Sequence, residues 1–316
     1  MKIVKILHLV IAITLGINCD YIQAGEPVTG LLICCKNDYN KYLVNGQWLT
    51  EPDYRDINVV RGILQNIKDA GINIVVIDMT NPSMWTYLSD KFLPMCENIR
   101  TVTKEKGMEY FVMIGAVVSD GVRNEKGMPD YIKTVGSLEF WNNQAKYIWE
   151  NWATDSHYRT YGFGDNRKII NMFYPGDWVD KLWNETADEH KTYLSKFYRG
   201  THEYNQDFKD TPTDGWGYRD KQQSSDGKIR FAAPTKGLHP GSSSYINEAE
   251  WKARVDWVAG AAHYSVYGSY DDDCDNINWG ICNTSAQPET RKRYVNDDPY
   301  VYYNVVKDKL VKSAKQ

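Results

Sequence analysis

Asp271, Asp272, Asp273 and Asp275 place four carboxylates within five positions, immediately after Tyr270. Such a group is costly to assemble unless a cation sits among the acids or one of them holds a proton. Three readings are open. In a solvated loop the acids do no chemistry. In a calcium loop, Asp271, Asp273 and Asp275 would have the alternate spacing that opens an EF-hand, but Asn276 stands where glycine is needed and Cys282 where a bidentate glutamate is needed. In a hydrolase, one protonated and one ionised carboxylate would cleave a glycosidic bond, and their repulsion in a cleft would separate their pKa values in the required direction.

More acids stand at or just past the ends of predicted strands: Asp38, Asp78, Asp120, Asp177 and Asp220. Aspartate also favours turns and helix N-caps, so each alone has an ordinary explanation. Asp78 is the least ordinary, because it terminates an apolar run. In a barrel of parallel strands all these ends face the same way, and residues distant in sequence converge on one cleft. Aromatic residues accompany them. Trp85, Trp178, Trp216 and Trp279 fall in strand-end loops and Tyr270 precedes the acid cluster, where flat faces suit sugar rings as well as a core. Trp141, Trp149, Trp152, Trp251 and Trp257 lie on helices and read as core. His239, in a Pro/Gly/Ser-rich loop, could reach the cleft, whereas His263 starts its strand at the far end. The Gly-x-Ser-x-Gly elbow of esterases is missing from the sequence.

These residues need a scaffold, and buried strands alternate with amphipathic helices. The strands are Gly30–Cys35, Ile72–Met79, Glu109–Val118, Lys168–Tyr174, a short Gly215–Tyr218, Lys228–Ala233, His263–Tyr270 and Asn278–Cys282. The helices begin at Pro52 and stop at Gly71, run from 137 to 152, from Ala187 to about Tyr204 and from Glu248 to Gly260, and close with Tyr300–Val311. Asn45-Gly46 predicts a turn that leaves Trp48 on a loop. The expected fold is α/β, a single (β/α)8 TIM barrel with elaborated strand-end loops. No glycine-rich phosphate turn points to a doubly wound sheet.

Lys2 and Lys5 followed by the apolar run Ile6–Leu15 read as an export signal, with cleavage after Ala24 or lipidation at Cys19. Residues 25–316 then form one domain outside the cytoplasm, without a membrane span. Cys34 and Cys35 read as small core residues. Cys274 and Cys282 are close enough to close a loop around the acids, a disulfide that export permits without demanding. No histidine lies at zinc-ligand spacing from them. A net charge of -4 without a basic stripe argues against nucleic acid as a partner. A monomer acting on carbohydrate without a cofactor or a resident metal is expected.

Ser269-Tyr270-Asp271-Asp272-Asp273-Cys274-Asp275 resembles the late-barrel segment of glycoside hydrolase families 71 and 99 and their relatives, where an aromatic residue precedes Asn/Asp-Glu-x-x-Glu. Asp69–Val76 is similar to their second strand and Asp298–Tyr302 to the start of their final helix. The resemblance implies a barrel hydrolase of the endo-α-mannosidase or α-glucanase kind, in which Asp272 and Asp275 take the places of the two catalytic glutamates. Each is one methylene shorter than glutamate, and Asn276 replaces the usual glycine. In the family's retaining members a carboxylate assists the sugar 2-hydroxyl instead of attacking carbon. The alternative is a non-catalytic carbohydrate-binding barrel, calcium-dependent if the acid cluster holds that ion.

Overall fold

Apolar residues at both parities along a strand demand cover on both faces, and the strand β4 (Ile74–Asp78) shows it: all five of its residues are buried. Burying each Val or Ile side chain stabilises the fold by roughly 1.5–3 kcal/mol. The computed structural model describes residues 28–34, 41–44, 47–50, 54–79, 89–115, 138–162, 165–173, 187–202, 221–223, 229–232, 247–260, 264–267 and 301–313. Strand β1 (Val28–Cys34) pairs in parallel with β4 on one side and with β11 (Tyr264–Tyr267) on the other. From β4 the parallel ladder continues to β5 (Glu109–Gly115), β7 (Asp165–Phe173) and β8 (Phe197–His202). From β11 it continues to β10 (Ile229–Ala232). Each of β4, β5, β7, β8 and β11 thus lies beside the parallel strand before it in the chain, and the last described strand lies beside the first, whereas β8 and β10 are not paired among the described residues. A doubly wound sheet instead reverses its order at a switch point.

The helices follow from periodicity and capping. In α1 (Ile57–Asp69) the buried Val60, Ile63, Leu64 and Ile67 recur at helical spacing, and the Asp56 side chain accepts from the Asn58 backbone N–H at 2.8 Å. The helix is closed by Gly71, whose φ of 85° is left-handed. A Cβ there would also stand 2.8 Å from Cβ of Leu310 in α5 (Val301–Ser313). Both constraints require glycine. Helix α2 (Ser89–Glu105) leads to β5, and α3 (Leu138–Asn151) buries Trp141, Ala145 and Ile148. Helix α4 (Glu248–Ala259) buries Trp251, Val255 and Val258. Trp152 is buried and Trp149 and Trp257 pack partly buried on the core, as their helical spacing implies.

At the N-terminal end of β5 one polar network joins α2, α3 and the sheet. Trp152 Nε1 donates to Glu97 at 2.8 Å, and Arg100 donates to the Tyr110 hydroxyl at 2.9 Å while its guanidinium lies 5.1 Å from the Trp152 ring centre. Burial pushes the Tyr110 phenol up to about 12. Asp155, with a side chain 7% exposed, takes both Lys104 and Arg100. Burial opposes its ionisation, but hydrogen bonds from Lys104 and the His157 N–H, with the charges of Lys104 and Arg100, outweigh it and hold the carboxyl below its usual range.

Two expectations are corrected, and two short antiparallel strands are added. Residues 187–202, most of an expected helix, do not form one: two short 3-10 turns, Asp188–Lys191 and Leu194–Lys196, lead directly into β8. The reason is twofold. Asn142 of α3 caps the second turn by accepting from the Tyr193 and Leu194 N–H groups at 2.8 and 3.1 Å, and the aromatic Phe197 and Tyr198 with Thr201 favour a strand. Trp48 is not on a loop but in β3 (Gln47–Thr50), which forms an antiparallel hairpin with β2 (Lys41–Val44) across Asn45-Gly46. A short β6 (Thr160–Gly162) pairs antiparallel with β7. Near the expected fifth strand the described element is β9 (Lys221–Gln223), antiparallel to β10. Gly215–Tyr218 and Asn278–Cys282, expected as strands, and the Cys274–Cys282 pair lie outside the described residues.

Two outcomes check this packing. Gly71→Ala should lower unfolding free energy by roughly 1–3 kcal/mol, read from urea midpoints, and an unchanged midpoint would separate α5 from that turn. Asp155→Asn should cost about 1–3 kcal/mol at pH 7. Because the folded-state pKa of Asp155 is depressed, its contribution is present above the unfolded value and lost as pH falls through the folded one. The gap between wild type and variant should therefore close as pH drops below about 4.

Candidate active site

Because the strands β1, β4, β5, β7, β8, β10 and β11 run parallel, their C-terminal ends lie along one edge of the sheet. That rim is where parallel α/β folds gather their functional groups. The faces of the sheet are fixed by β5, where Tyr110 turns toward the helices and meets Arg100 and Trp152. Alternation along the strand puts Phe111 and Met113 on the opposite, inward face. Register then carries that face across the sheet: Met113 is level with Asp78 on one side and Asn171 on the other, and Asn171 is level with Gly200.

Asp78 is 1% exposed and is the last residue of β4, not a turn or cap residue. Its backbone is held from two sides, since the Met79 N–H donates to the Met113 carbonyl at 2.8 Å and Cys96 Sγ lies 3.7 Å from the Asp78 carbonyl oxygen. A carboxylate taken out of water at the end of a strand needs hydrogen-bonded or charged partners to offset its desolvation. On α3, Gln144 accepts from the Gly115 N–H at 3.3 Å and fixes the end of β5.

Asn171 is the residue that the sequence did not single out. Its side chain is fully buried, and neither Nδ2 nor Oδ1 has a hydrogen-bond partner. Each such unmet buried group costs about 1–3 kcal/mol. One signal was available: a lone amide inside the otherwise apolar run Ile169-Ile170-Asn171-Met172-Phe173.

Of the residues singled out in advance, Asp78 alone is described. Asp38, Asp120, Asp177, Trp178, Trp216, Asp220, Tyr270, Asp272 and Asp275 lie outside the described residues, as do Trp85, Trp279, His239 and His263. What is described is the strand that several of them follow. Cys34 precedes Asp38, Gly115 precedes Asp120, Phe173 precedes Asp177 and Trp178, and Tyr267 precedes Tyr270, Asp272 and Asp275. Each of those strand ends is on the rim. Asp220 directly precedes β9, not the end of a parallel strand. Because β9 is antiparallel, its first residue, Lys221, is level with Ala232 at the rim end of β10.

No helix among the described residues is long and apolar enough to cross a membrane. No protein-family model matches the chain, and no curated protein matches it. Solved structures do. A GH99 endo-α-mannosidase from Bacteroides thetaiotaomicron aligns over 91% of this chain and 98% of its own with a TM-score of 0.53 at 12% identity. Its complex with bis-tris propane aligns over the same shares with a TM-score of 0.51, also at 12% identity. A glycoside hydrolase-like protein aligns over 90% of this chain and 94% of its own, with a TM-score of 0.45 and 10% identity. At these identities the likeness is one of fold. It establishes a glycoside-hydrolase-like α/β fold with a parallel sheet, and not membership of family 71 or 99.

Proposed function

We propose that this chain is an exported glycoside hydrolase built on a closed (β/α)8 barrel, with its active site at the rim that Asp78 occupies. The observation that carries the reading is Asp78 itself: a carboxylate 1% exposed, ending a buried strand on the face turned away from the helices. The pairing of the first strand with the last described one and the fold likeness to an endo-α-mannosidase support it. Closure would join β8 to β10 through residues outside those described. The carbohydrate class favoured is α-mannan, with α-glucan beside it.

Asp272 and Asp275 form the acid/base pair. They follow Tyr267 by five and eight residues, and an extended chain advances at most about 3.3–3.6 Å per residue, so both remain within reach of the rim. The protonated member gives its proton to the glycosidic oxygen as the bond to carbon breaks. The ionised member takes a proton, either from water or from the sugar 2-hydroxyl, and water supplies the hydroxyl of the new reducing end. Asp38, Asp78, Asp120, Asp177 and Asp220 hold sugar hydroxyls, while Trp178, Trp216 and Tyr270 offer apolar faces to the rings. The chain acts as a monomer, needs no cofactor, and leaves the cytoplasm through its N-terminal signal, cleaved after Ala24 or lipidated at Cys19.

Asp272→Asn and Asp275→Asn should each lower the release of reducing ends from α-mannan or α-glucan by about 100- to 10,000-fold with affinity retained. Wild-type protein that binds these glycans without cleaving them, and loses binding in the same variants, would make it a carbohydrate-binding barrel instead. Asp78→Asn should leave the far-UV spectrum intact and weaken glycan binding about tenfold. Unaltered binding would remove Asp78 from the site.

A further inference from the structure

The buried amide of Asn171 has two polar atoms and no internal use for them. Its neighbours in register cannot supply partners: Met113 offers only a weakly accepting thioether, and Gly200 has no side chain. Two residues before it on the same face of β7 stands Ile169, also buried. An apolar side chain of similar size would suit this position better, so packing alone does not account for the asparagine. Its level in the sheet is informative. Asn171 shares a row with Asp78, separated by one strand, which places the two backbones roughly 9–10 Å apart. Only Met172 and Phe173 follow before β7 ends at the rim.

We propose that Asn171 is a substrate-contact residue at the floor of the site, where its carboxamide donates to one sugar hydroxyl and accepts from a neighbouring one. The proposal rests on the glycoside hydrolase reading and adds to it a residue and a specificity. An amide presents one donor group and one acceptor group side by side, and vicinal hydroxyls of a pyranose present the complement. A site built this way rejects sugars that lack one of the two hydroxyls, because the amide is then left unmet in the complex as well. Since the amide is covered in this structure, the sugar reaches it by displacing its cover, and the two hydrogen bonds gained offset that displacement.

The test uses the full chain with two probes, an α-linked mannotetraose and an α-linked glucotetraose. Asn171→Leu should unfold at the same temperature as wild type or higher, while affinity for the tetrasaccharide that wild type binds falls at least tenfold. Asn171→Ser, which keeps one hydroxyl, should lose affinity by a smaller factor. A lower unfolding temperature for Asn171→Leu would show that the amide is structurally partnered and would overturn the proposal. So would unchanged affinity in both variants while wild type binds. Wild type that binds neither tetrasaccharide overturns the hydrolase reading and the sugar contact together, and is thereby distinguished from failure of Asn171 alone.

Discussion

The parallel pairing of β1 with β11 is the contact on which the arrangement depends. It joins Val28–Leu31 to Tyr264–Tyr267, residues more than two hundred positions apart in the chain. Ordering so long a loop is entropically costly, although the cost grows only slowly with loop length. The helix layer repeats the same junction. Tyr303 of α5 donates to the Asn66 carbonyl of α1 at 3.2 Å, Leu310 packs over Gly71, and Lys309 meets Asp256 of α4 at 2.8 Å. The end of the chain is therefore held against its beginning in both layers. With β4, β1, β11 and β10 parallel to one another, this junction sets their C-terminal ends on one rim.

The two ends of the strands are built from different chemistry. At the N-terminal end of β5, charges are paired and hydrogen-bonded: Arg100, Glu97, Lys104 and Asp155 satisfy one another around Tyr110 and Trp152. At the C-terminal end, the inward row holds the buried carboxylate of Asp78 and, one strand away, the amide of Asn171, whose two polar atoms are unmet. Stability resides at the first end. Polar groups retained at a cost mark the second, the division expected where strand ends carry function and the opposite face carries the fold.

Much of this was legible in the sequence because long apolar runs and helical periodicity are decided locally. The apolar run within Ile72–Met79 signals the covered strand, which the structure trims to Ile74–Asp78, and Trp141, Ala145, Ile148 and Trp152 recur at the spacing of one helix face. Residues 187–202 misled because their polar composition resembles a surface helix, whereas their structure is set by Asn142 reaching from α3 and by the edge of β7 offering a ladder to β8. Neither partner is local. The antiparallel direction of β9 was likewise invisible, since three residues carry no signal of orientation. Asp78 was found because an acid ending an apolar run stands out. Asn171 was missed because a single amide within a strand is ordinary until its lack of partners is seen.

Convergence of the acids on one rim is the central claim, and a crystal structure with a bound α-mannan oligosaccharide tests it most directly. The expected result is a sugar at the C-terminal ends of the strands, with Asp272 and Asp275 flanking a glycosidic bond and Asp78 within hydrogen-bond distance of a ring hydroxyl. A sugar bound at the N-terminal ends, or Asp272 on the opposite side of the sheet from Asp78, would contradict it.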